Sequence, residues 1–320
     1  MIISELTINA VKKQIEQAKS ISILSHLNPD ADTLGTSLGI YALLTQDKSK
    51  RVEVVNASNA LPMYLDFLPN YKKIKHKMDY TDSLIISCDC GSIDRLGFNV
   101  EDKEILNIDH HQSNTRYGSV NVVISSYASA SQVAHKLFGE LYDINKEAST
   151  CFYAALLSDT RHFATETVNE EVFSVAKYLV SKGAKPNEIA YHFTQRKSLA
   201  SIRILQKSLA SLVLHRNAKI ASLYATKEDI LSSGAVMADM EGIVDYGRSL
   251  VTVEIAIFAI ELNDGVRISL RSKSVDVSMV ALAFGGGGHK LASGFTLKQC
   301  KLQESIDTIL SKIDDLGLIK

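Results

Sequence analysis

Residues 20–44 read SISILSHLNPDADTLGTSLGIYALL. Ser20 to Ser25 is a short apolar run with β-branched residues, which predicts a strand. HLNPDAD reads as a turn, because Pro and Asp punctuate chains in this way. Thr33 to Leu44 then predicts a helix. Strand, polar turn and helix open a βαβ unit, and the pattern recurs downstream. Strands are predicted at Arg51–Val55, Ser83–Cys88 and Glu104–Ile108. Helices are predicted around Ala130–Tyr142, Glu147–Leu157 and Glu170–Ser181, with an amphipathic helix at Ile8–Lys19 ahead of them. Such alternation implies a mostly parallel sheet with flanking helices.

The pattern changes near residue 190. Asn187 to Leu214 reads as mostly helix, and between Ile189 and Lys227 there is no acidic residue but seven Lys or Arg. Strands follow at Ala218–Tyr224, Val251–Glu261 and Val266–Arg271, then a helix-like segment Val277–Ala283, the run GGGGH, and a closing helix Leu302–Leu316. The expected organisation is α/β throughout: a catalytic domain over 1–190, a helical linker over 191–210 and a smaller α/β domain over 211–320.

Composition narrows the class. The 320 residues are 46% apolar and 22% charged, with 17 Gly and 4 Pro, which excludes a disordered or collagen-like chain. A net charge of −1 leaves no bulk field for wrapping long duplex nucleic acid or coating a membrane. No apolar run approaches the roughly 20 residues of a membrane span. The charged, amphipathic start is not that of a signal peptide, so a cytoplasmic protein is expected. The four cysteines form no metal knuckle and are expected to be small buried hydrophobes.

Chemistry gathers after the predicted strands. The first is followed by His26, Asp30 and Asp32, the third by Asp89, and the fourth by Asp109, His110 and His111. Asp159 ends a later apolar run. Each has a plain structural explanation alone, such as a turn residue or a helix cap. Together they are harder to dismiss, because ligands in open α/β sheets bind outside the carboxyl ends of the strands. Several carboxylates in one crevice repel one another. Two divalent cations would balance four Asp charges. Carboxylate oxygens mixed with a few imidazoles suit Mn²⁺, and Mg²⁺, Co²⁺ or Fe²⁺ are also compatible. Two ions about 3.5–4 Å apart are the device of a two-metal phosphoesterase.

HLNPDADTLGTS, CDCGSIDRLG, IDHHQSN and LLSDTRHF resemble the four ordered motifs of the DHH phosphoesterase superfamily, and FGGGGHKLASGF resembles the glycine-rich signature of its associated C-terminal domain. The size and order are similar to the small oligoribonuclease (nanoRNase) and pAp-phosphatase branch. The resemblance implies an active site in the cleft between two domains. It assigns one metal to His26, Asp30 and Asp89 and the other to Asp32, Asp89, His110 and Asp159. It makes His111 the group facing the scissile phosphate, Asp109 its orienting carboxylate, and Arg95 an aid to the loop or a phosphate. Arg271, Gly286, Gly287, Gly288 and His289 would bind the substrate's other phosphate. In one place the chain departs from the branch, which often has Gly where Arg161 stands. That cation is expected to contact a phosphate or narrow the site.

The expected activity is manganese-dependent hydrolysis of short oligoribonucleotides to mononucleotides and of pAp to AMP, with two ions per site. Alternatives are a linear or cyclic dinucleotide phosphodiesterase, an inorganic pyrophosphatase, or a nucleotide-sensing binding module. No membrane and no long duplex partner is expected, and a homodimer is compatible with the sequence.

Overall fold

A computed structural model describes residues 3–319. The chain divides into two compact units, one up to Arg196 and one from Lys197 onward.

The first unit contains α1 (Glu5–Gln17), β1 (Ser20–Ser25), α2 (Ala31–Leu44), β2 (Arg51–Val55), β3 (Leu84–Cys88), β4 (Ile105–Asp109), β5 (Val120–Val123), α3 (Ala130–Phe138), α4 (Lys146–Asp159), α5 (Glu170–Ser181) and α6 (Pro186–Thr194). Its sheet runs in the order β2-β1-β3-β4-β5. Every pairing in it is parallel. After β2 the chain crosses to the other side of β1, so the topological switch lies between β1 and β3, and the crevice opens at their carboxyl ends. His26 follows β1 and Asp89 follows β3.

β1, β3 and β4 are buried along their whole length, as parallel strands covered on both faces must be. One face packs against α2, α3 and α4 through Ile21, Ile23, Ile86, Leu38, Val133 and Phe152. The other holds a smaller cluster of Leu24, Val55, Ile85, Leu96, Val100 and Ile105. α2 is buried on nearly every side. It lies so close to α4 that side chains are excluded: a Cβ at Gly35 would meet the Cys151 carbonyl at 2.6 Å, and one at Gly39 would meet Phe152 Cε1 at 2.3 Å. This packing fixes the start of α2, which carries Asp32, against α4, which ends in Asp159.

The second unit contains α7 (Leu199–Ala210), β6 (Val213–His215), β7 (Ile220–Ala225), α8 (Lys227–Ser233), α9 (Ile243–Ser249), β8 (Ile255–Leu262), β9 (Gly265–Ser272), α10 (Ser278–Ala283), β10 (Gly287–His289), β11 (Ala292–Lys298) and α11 (Leu302–Asp315). Its mixed sheet has the order β10-β11-β9-β8-β7-β6. Alternate residues of β8 serve opposite faces: Ile255, Ile257 and Ala259 pack with Val280, Ile306 and Ile309, while Ala256, Phe258 and Ile260 pack with Ile204, Ile243 and Val244. The segment expected as a linker is therefore divided, with α6 in the first unit and α7 contributing Ile204 to the core of the second.

Among the described residues no helix is long and apolar enough to cross a membrane. All four cysteines are free; Cys88, Cys90 and Cys151 are buried. Burial pushes their thiols above the usual range.

Two consequences can be measured. Gly39→Ala should lower the urea midpoint of the first unit by the equivalent of about 1–3 kcal/mol, the usual cost of overpacking. Phe152→Leu in the same chain should recover part of the loss, and an unchanged midpoint in Gly39→Ala would refute the close approach. The second concerns His135 in α3, whose ring lies 5.0 Å from that of Tyr178 and whose Nδ1 is buried without a partner. Burial lowers its pKa from 6.5 to about 4. Between those values the unfolded chain takes up a proton that the folded chain refuses, so stability falls as pH falls through this window, by at most about 3 kcal/mol. His135→Phe should flatten that part of the stability–pH curve, and a curve parallel to wild type would contradict the assignment.

Candidate metal centre

The site is built at strand ends. Asn56, just past β2, donates from Nδ2 to Ser25 Oγ and to the His26 carbonyl, both at 2.9 Å. The Arg95 carbonyl accepts from the Leu27 N–H at 2.8 Å. These bonds pin the turn that presents His26. The His26 ring gives Nδ1–H to the Leu27 carbonyl at 2.8 Å, which turns Nε2 toward Thr33 and Asp89. Burial pushes the ring below its ordinary pKa, favouring the neutral form with a lone pair at Nε2.

Asp30 is the N-cap of α2 and accepts from the Thr33 N–H at 3.0 Å. Asp32, in the first turn, is buried and accepts from the Ala130 and Ser131 N–H groups at 2.7 and 3.1 Å, so it also anchors the start of α3. Both positions favour negative charge, because the N-terminus of a helix is its positive end. Asp159 is different. It is the last residue of α4, where the helix dipole opposes a carboxylate.

Asp89 lies between these groups. It leaves β3 in a left-handed conformation, φ 53°, which Asp tolerates better than most residues. One carboxylate oxygen, Oδ2, accepts from Thr33 Oγ1 at 2.7 Å and lies 3.8 Å from His26 Nε2. The other, Oδ1, is 3.6 Å from His110 Nε2 and 3.4 Å from His111 Nδ1. His110 gives Nδ1–H to the Tyr127 carbonyl at 3.3 Å and directs Nε2 at Asp32, Asp89 and Asp159, at 3.8, 3.6 and 3.4 Å. Asp109 is buried beneath, with Oδ1 accepting from His111 Nδ1 and the His110 N–H, both at 2.7 Å. Burial pushes its carboxyl upward, but the His111 ring, Asn114 and the His110 N–H outweigh it and hold it below the usual range.

Does this arrangement fit metal ions? Burial and mutual repulsion push Asp89 and Asp159 well above the ordinary carboxylate range, and burial raises Asp32. Asp89 Oδ1 is buried with no hydrogen-bond partner. Glu53, equally buried, shows what a satisfied carboxylate looks like: it accepts from Ser22, Lys75 and the Asp79 and Tyr80 N–H groups. Thr33 Oγ1 sits 2.7 Å from His26 Nε2, 2.9 Å from Asp30 Oδ1 and 2.7 Å from Asp89 Oδ2. One hydroxyl proton cannot serve three acceptors. Among the described residues three groups have ligand atoms within 4.8 Å of one another: His26, Asp30 and Asp89; Asp89, His110 and His111; and Asp32, His110 and Asp159. The unserved lone pairs and the excess negative charge fit divalent cations. The oxygen and imidazole donors suit a hard or borderline metal rather than a thiophilic one.

The structure therefore brings together His26, Asp30, Asp32, Asp89, Asp109, His110, His111 and Asp159. Arg95 is exposed, but its charge acts on the His26 ring. Arg161 acts likewise on Asp159. In the second unit, Arg271 lies on β9, registered against Ala292 of β11, and Gly287–His289 form β10, with Gly286 just before it. The glycine run is no open loop: Gly287–His289 pairs with Ala292–Gly294 as a hairpin. A Cβ at Gly286 would meet the Gly294 carbonyl at 2.4 Å and one at Gly288 the Ala292 carbonyl at 2.5 Å, so close strand approach accounts for both glycines. Only at Gly287 of these three would a side chain meet open space. Sequence reasoning passed over Thr33, Asn114 and Asn56. Asn56 follows a predicted strand and was open to the same strand-end argument.

A doubly wound unit with a carboxylate–imidazole crevice at its switch point, joined to a second mixed-sheet unit, defines a class of metal-binding α/β proteins. Residues 20–156 match the DHH family N-terminal domain and residues 217–316 the DHHA1 domain, and the chain belongs to the DHH superfamily. It is 27% identical over 298 residues to the bifunctional oligoribonuclease and PAP phosphatase NrnA of Thermus thermophilus, covering 92% of this chain and 89% of that one. The Bacillus subtilis protein of the same description is 23% identical over 307 residues, covering 93% and 94%. The crystal structure of an exopolyphosphatase-related protein from Bacteroides fragilis has the same fold, with a TM-score of 0.91, 26% identity and 98% of each chain covered.

If the crowded carboxylates await cations, relieving the charge should stabilise the metal-free protein. In EDTA, Asp89→Asn should melt above wild type, by about 2–4 °C for each kcal/mol relieved. Mn²⁺ should raise the Tm of wild type and leave that of Asp89→Asn nearly unmoved. A wild-type Tm indifferent to divalent ions would count against the centre.

Proposed function

We propose that the chain is a manganese-dependent two-metal phosphoesterase that hydrolyses short oligoribonucleotides to mononucleotides and removes the 3′-phosphate of pAp. The observation that carries this reading is Asp89, a buried carboxylate whose two oxygens face two different ligand groups. The named activities of the Thermus and Bacillus relatives, matched over most of the chain, support the substrate class.

His26, Asp30 and Asp89 would hold one ion, and Asp32, Asp89, His110 and Asp159 the other. When bound, divalent cations offset the carboxylate charge, polarise a phosphoryl oxygen and make water a competent nucleophile at neutral pH. Water adds to phosphorus, the bond from phosphorus to the ribose oxygen breaks, and that oxygen takes up a proton. The protein's own part is positioning. Asp109 holds the His111 ring through Nδ1, which aims Nε2 outward as the hydrogen-bonding atom for the phosphate or the leaving oxygen. Thr33 holds Asp30 through its backbone N–H. Arg271 and His289 are our candidates for phosphate contacts in the second unit.

The test is a chromatographic time course with Mn²⁺ on pAp, a 5′-phosphorylated RNA dinucleotide, a 24-mer RNA, linear and cyclic di-AMP, and pyrophosphate, in separate reactions. The expected products are mononucleotides from the dinucleotide and AMP from pAp. Asp89→Ala should lose more than the roughly 10–100-fold that loss of an outer partner costs. Turnover of pyrophosphate alone, of the cyclic dinucleotide alone, or of nothing would overturn the reading.

A further inference from the structure

β4 ends in Asp109, and Asn107 lies two residues before it on the same face of the strand. Asn107 is registered against Asn121 of β5. Asn121 Oδ1 accepts from the Gly118 N–H at 3.0 Å, and its Nδ2 donates to the Gly118 carbonyl at 2.6 Å, so backbone groups fix which way this amide faces. Asn107 Nδ2 donates to Asn121 Oδ1 at 3.2 Å and to Asn114 Oδ1 at 3.0 Å. Asn114 Oδ1 also accepts from the Arg116 N–H at 2.7 Å. With its oxygen facing two donors, the Asn114 amide must turn its nitrogen toward acceptors. Those acceptors are Asp109 Oδ2, at 2.5 Å, and the Cys90 carbonyl, at 3.1 Å. A flipped Asn114 would set N–H against N–H.

Both bonds from that nitrogen bear on His111. A carboxylate turns on a broad torsion, so its plane is set by hydrogen bonds rather than by a rotamer well. Asp109 Oδ1 accepts from the His110 and His111 N–H groups at 2.7 and 3.2 Å and from His111 Nδ1 at 2.7 Å. These bonds place one oxygen. Asn114 places the other, and two placed oxygens define the plane that meets the His111 ring. The bond to Cys90 links two strand ends, because Cys90 directly follows Asp89. One amide thus ties the loop presenting Asp89 to the carboxylate that orients His111. The same two loops are joined by the Thr115 N–H, which donates to the Gly91 carbonyl at 2.9 Å, and by Tyr117 Oη, which donates to the Cys90 carbonyl at 3.0 Å. They stay joined without Asn114, whose own contribution is the donor at Oδ2.

We propose that Asn114 is a positioning residue: acting through Asp109, it fixes the plane and the tautomer of the His111 ring relative to Asp89. The proposal rests on the phosphoesterase reading above. A ring held at one angle meets the phosphate or the leaving oxygen in one geometry. Loosening it lowers the rate of the bound complex more than it weakens substrate binding.

The experiment compares wild type, Asn114→Ala, His111→Ala and the double variant on pAp and on the RNA dinucleotide, with Mn²⁺. Asn114→Ala should lower kcat by about ten-fold, the lower end of what loss of an outer partner costs, and leave KM within about two-fold. In the His111→Ala background the same change should cost less than about two-fold, because its route to the substrate is already gone. The gain in Tm on adding Mn²⁺ should match that of wild type, since Asn114 holds no proposed metal ligand. Asn114→Ser keeps a polar group in the loop and should show the same loss in kcat; it replaces Asn114→Ala if that variant does not fold. A merely structural Asn114 would disturb Asp89 through Cys90, shrink the gain from Mn²⁺ and cost as much without His111 as with it. That pattern overturns the proposal. A measurement without turnover separates it from the activity. Long-range proton–nitrogen NMR spectra of the metal-free protein at about pH 9, above the ordinary imidazole range, report which ring nitrogen carries the proton. The His111 signals, identified by their loss in His111→Ala, should show Nδ1 protonated in wild type and a mixture of both tautomers in Asn114→Ala. If wild type hydrolyses neither substrate but the tautomer depends on Asn114, the activity is misassigned while the positioning stands. An unchanged tautomer in Asn114→Ala overturns the positioning whatever the protein cleaves.

Discussion

Asp89, Asp32 and Asp159 are carboxylates gathered where water is scarce and like charges are close, and the rest of the first unit is arranged around that conflict. A buried ionised group costs several kcal/mol unless something compensates it. The protein shows at Glu53 that it can compensate fully with its own donors. At Asp89 it leaves an oxygen bare. Two treatments of buried carboxylates in one sheet separate structure from function more clearly than either would alone.

The geometry of that conflict is set by packing some distance from it. Gly35 and Gly39 let α2 lie directly on α4, and the same two helices carry Asp30, Asp32 and Asp159. Dense interiors transmit displacement because they have few voids to absorb it. The strand ends add the remaining groups: β1 delivers His26, β3 delivers Asp89 and β4 delivers Asp109 with its two histidines. A parallel sheet of this order must bring the first two beside one another, since β1 and β3 are neighbours at the switch.

Much of this was legible in the sequence. β1 and β2 match their predicted bounds, Ser20–Ser25 and Arg51–Val55, and α5 matches Glu170–Ser181, because each has uniform hydrophobic patterning and clear ends. The expected convergence of His26, Asp89 and His110 follows from strand-end placement and needs no side-chain detail, whereas Asp30 and Asp32 come from the start of α2 and Asp159 from the end of α4. What escaped is equally physical. β5 is a four-residue edge strand with one fully buried side chain, too little signal for any pattern. β11 is interrupted by Gly294, where a Cβ would meet the Ile268 carbonyl at 2.9 Å, so close approach to β9 erased the alternation that would have marked it. The glycine run, expected as a phosphate cradle, carries the same ambiguity: the residue type shows that the backbone needs room but not what fills it, and at Gly286 and Gly288 a neighbouring strand does.

That ambiguity sharpens the meaning of strain elsewhere. In the second unit, glycine occupies left-handed or crowded positions such as 285, 286 and 288, so the backbone adopts them without penalty. Left-handed residues with side chains occur in both units: Arg216, Asn217 and Ala218 form one run between β6 and β7, and Arg161, His162 and Phe163 form another just past Asp159. Asn28, Asp89, Arg161, His162 and Phe163 all take left-handed conformations with side chains in place. Asn and Asp tolerate this; Arg, His and Phe do so at about 1–3 kcal/mol each unless their surroundings compensate. Packing supplies part of that compensation just past Asp159, where the Phe163 ring meets Tyr153 and Phe173 and the His162 ring meets Phe193. Uncompensated charge at Asp89 and left-handed backbone just past Asp159 thus belong to two neighbouring members of the carboxylate cluster. Cations would relieve the first. The second is held by backbone bonds from Arg161, His162 and Ala164 to the last turn of α4, so it fixes where that helix stops and where Asp159 stands.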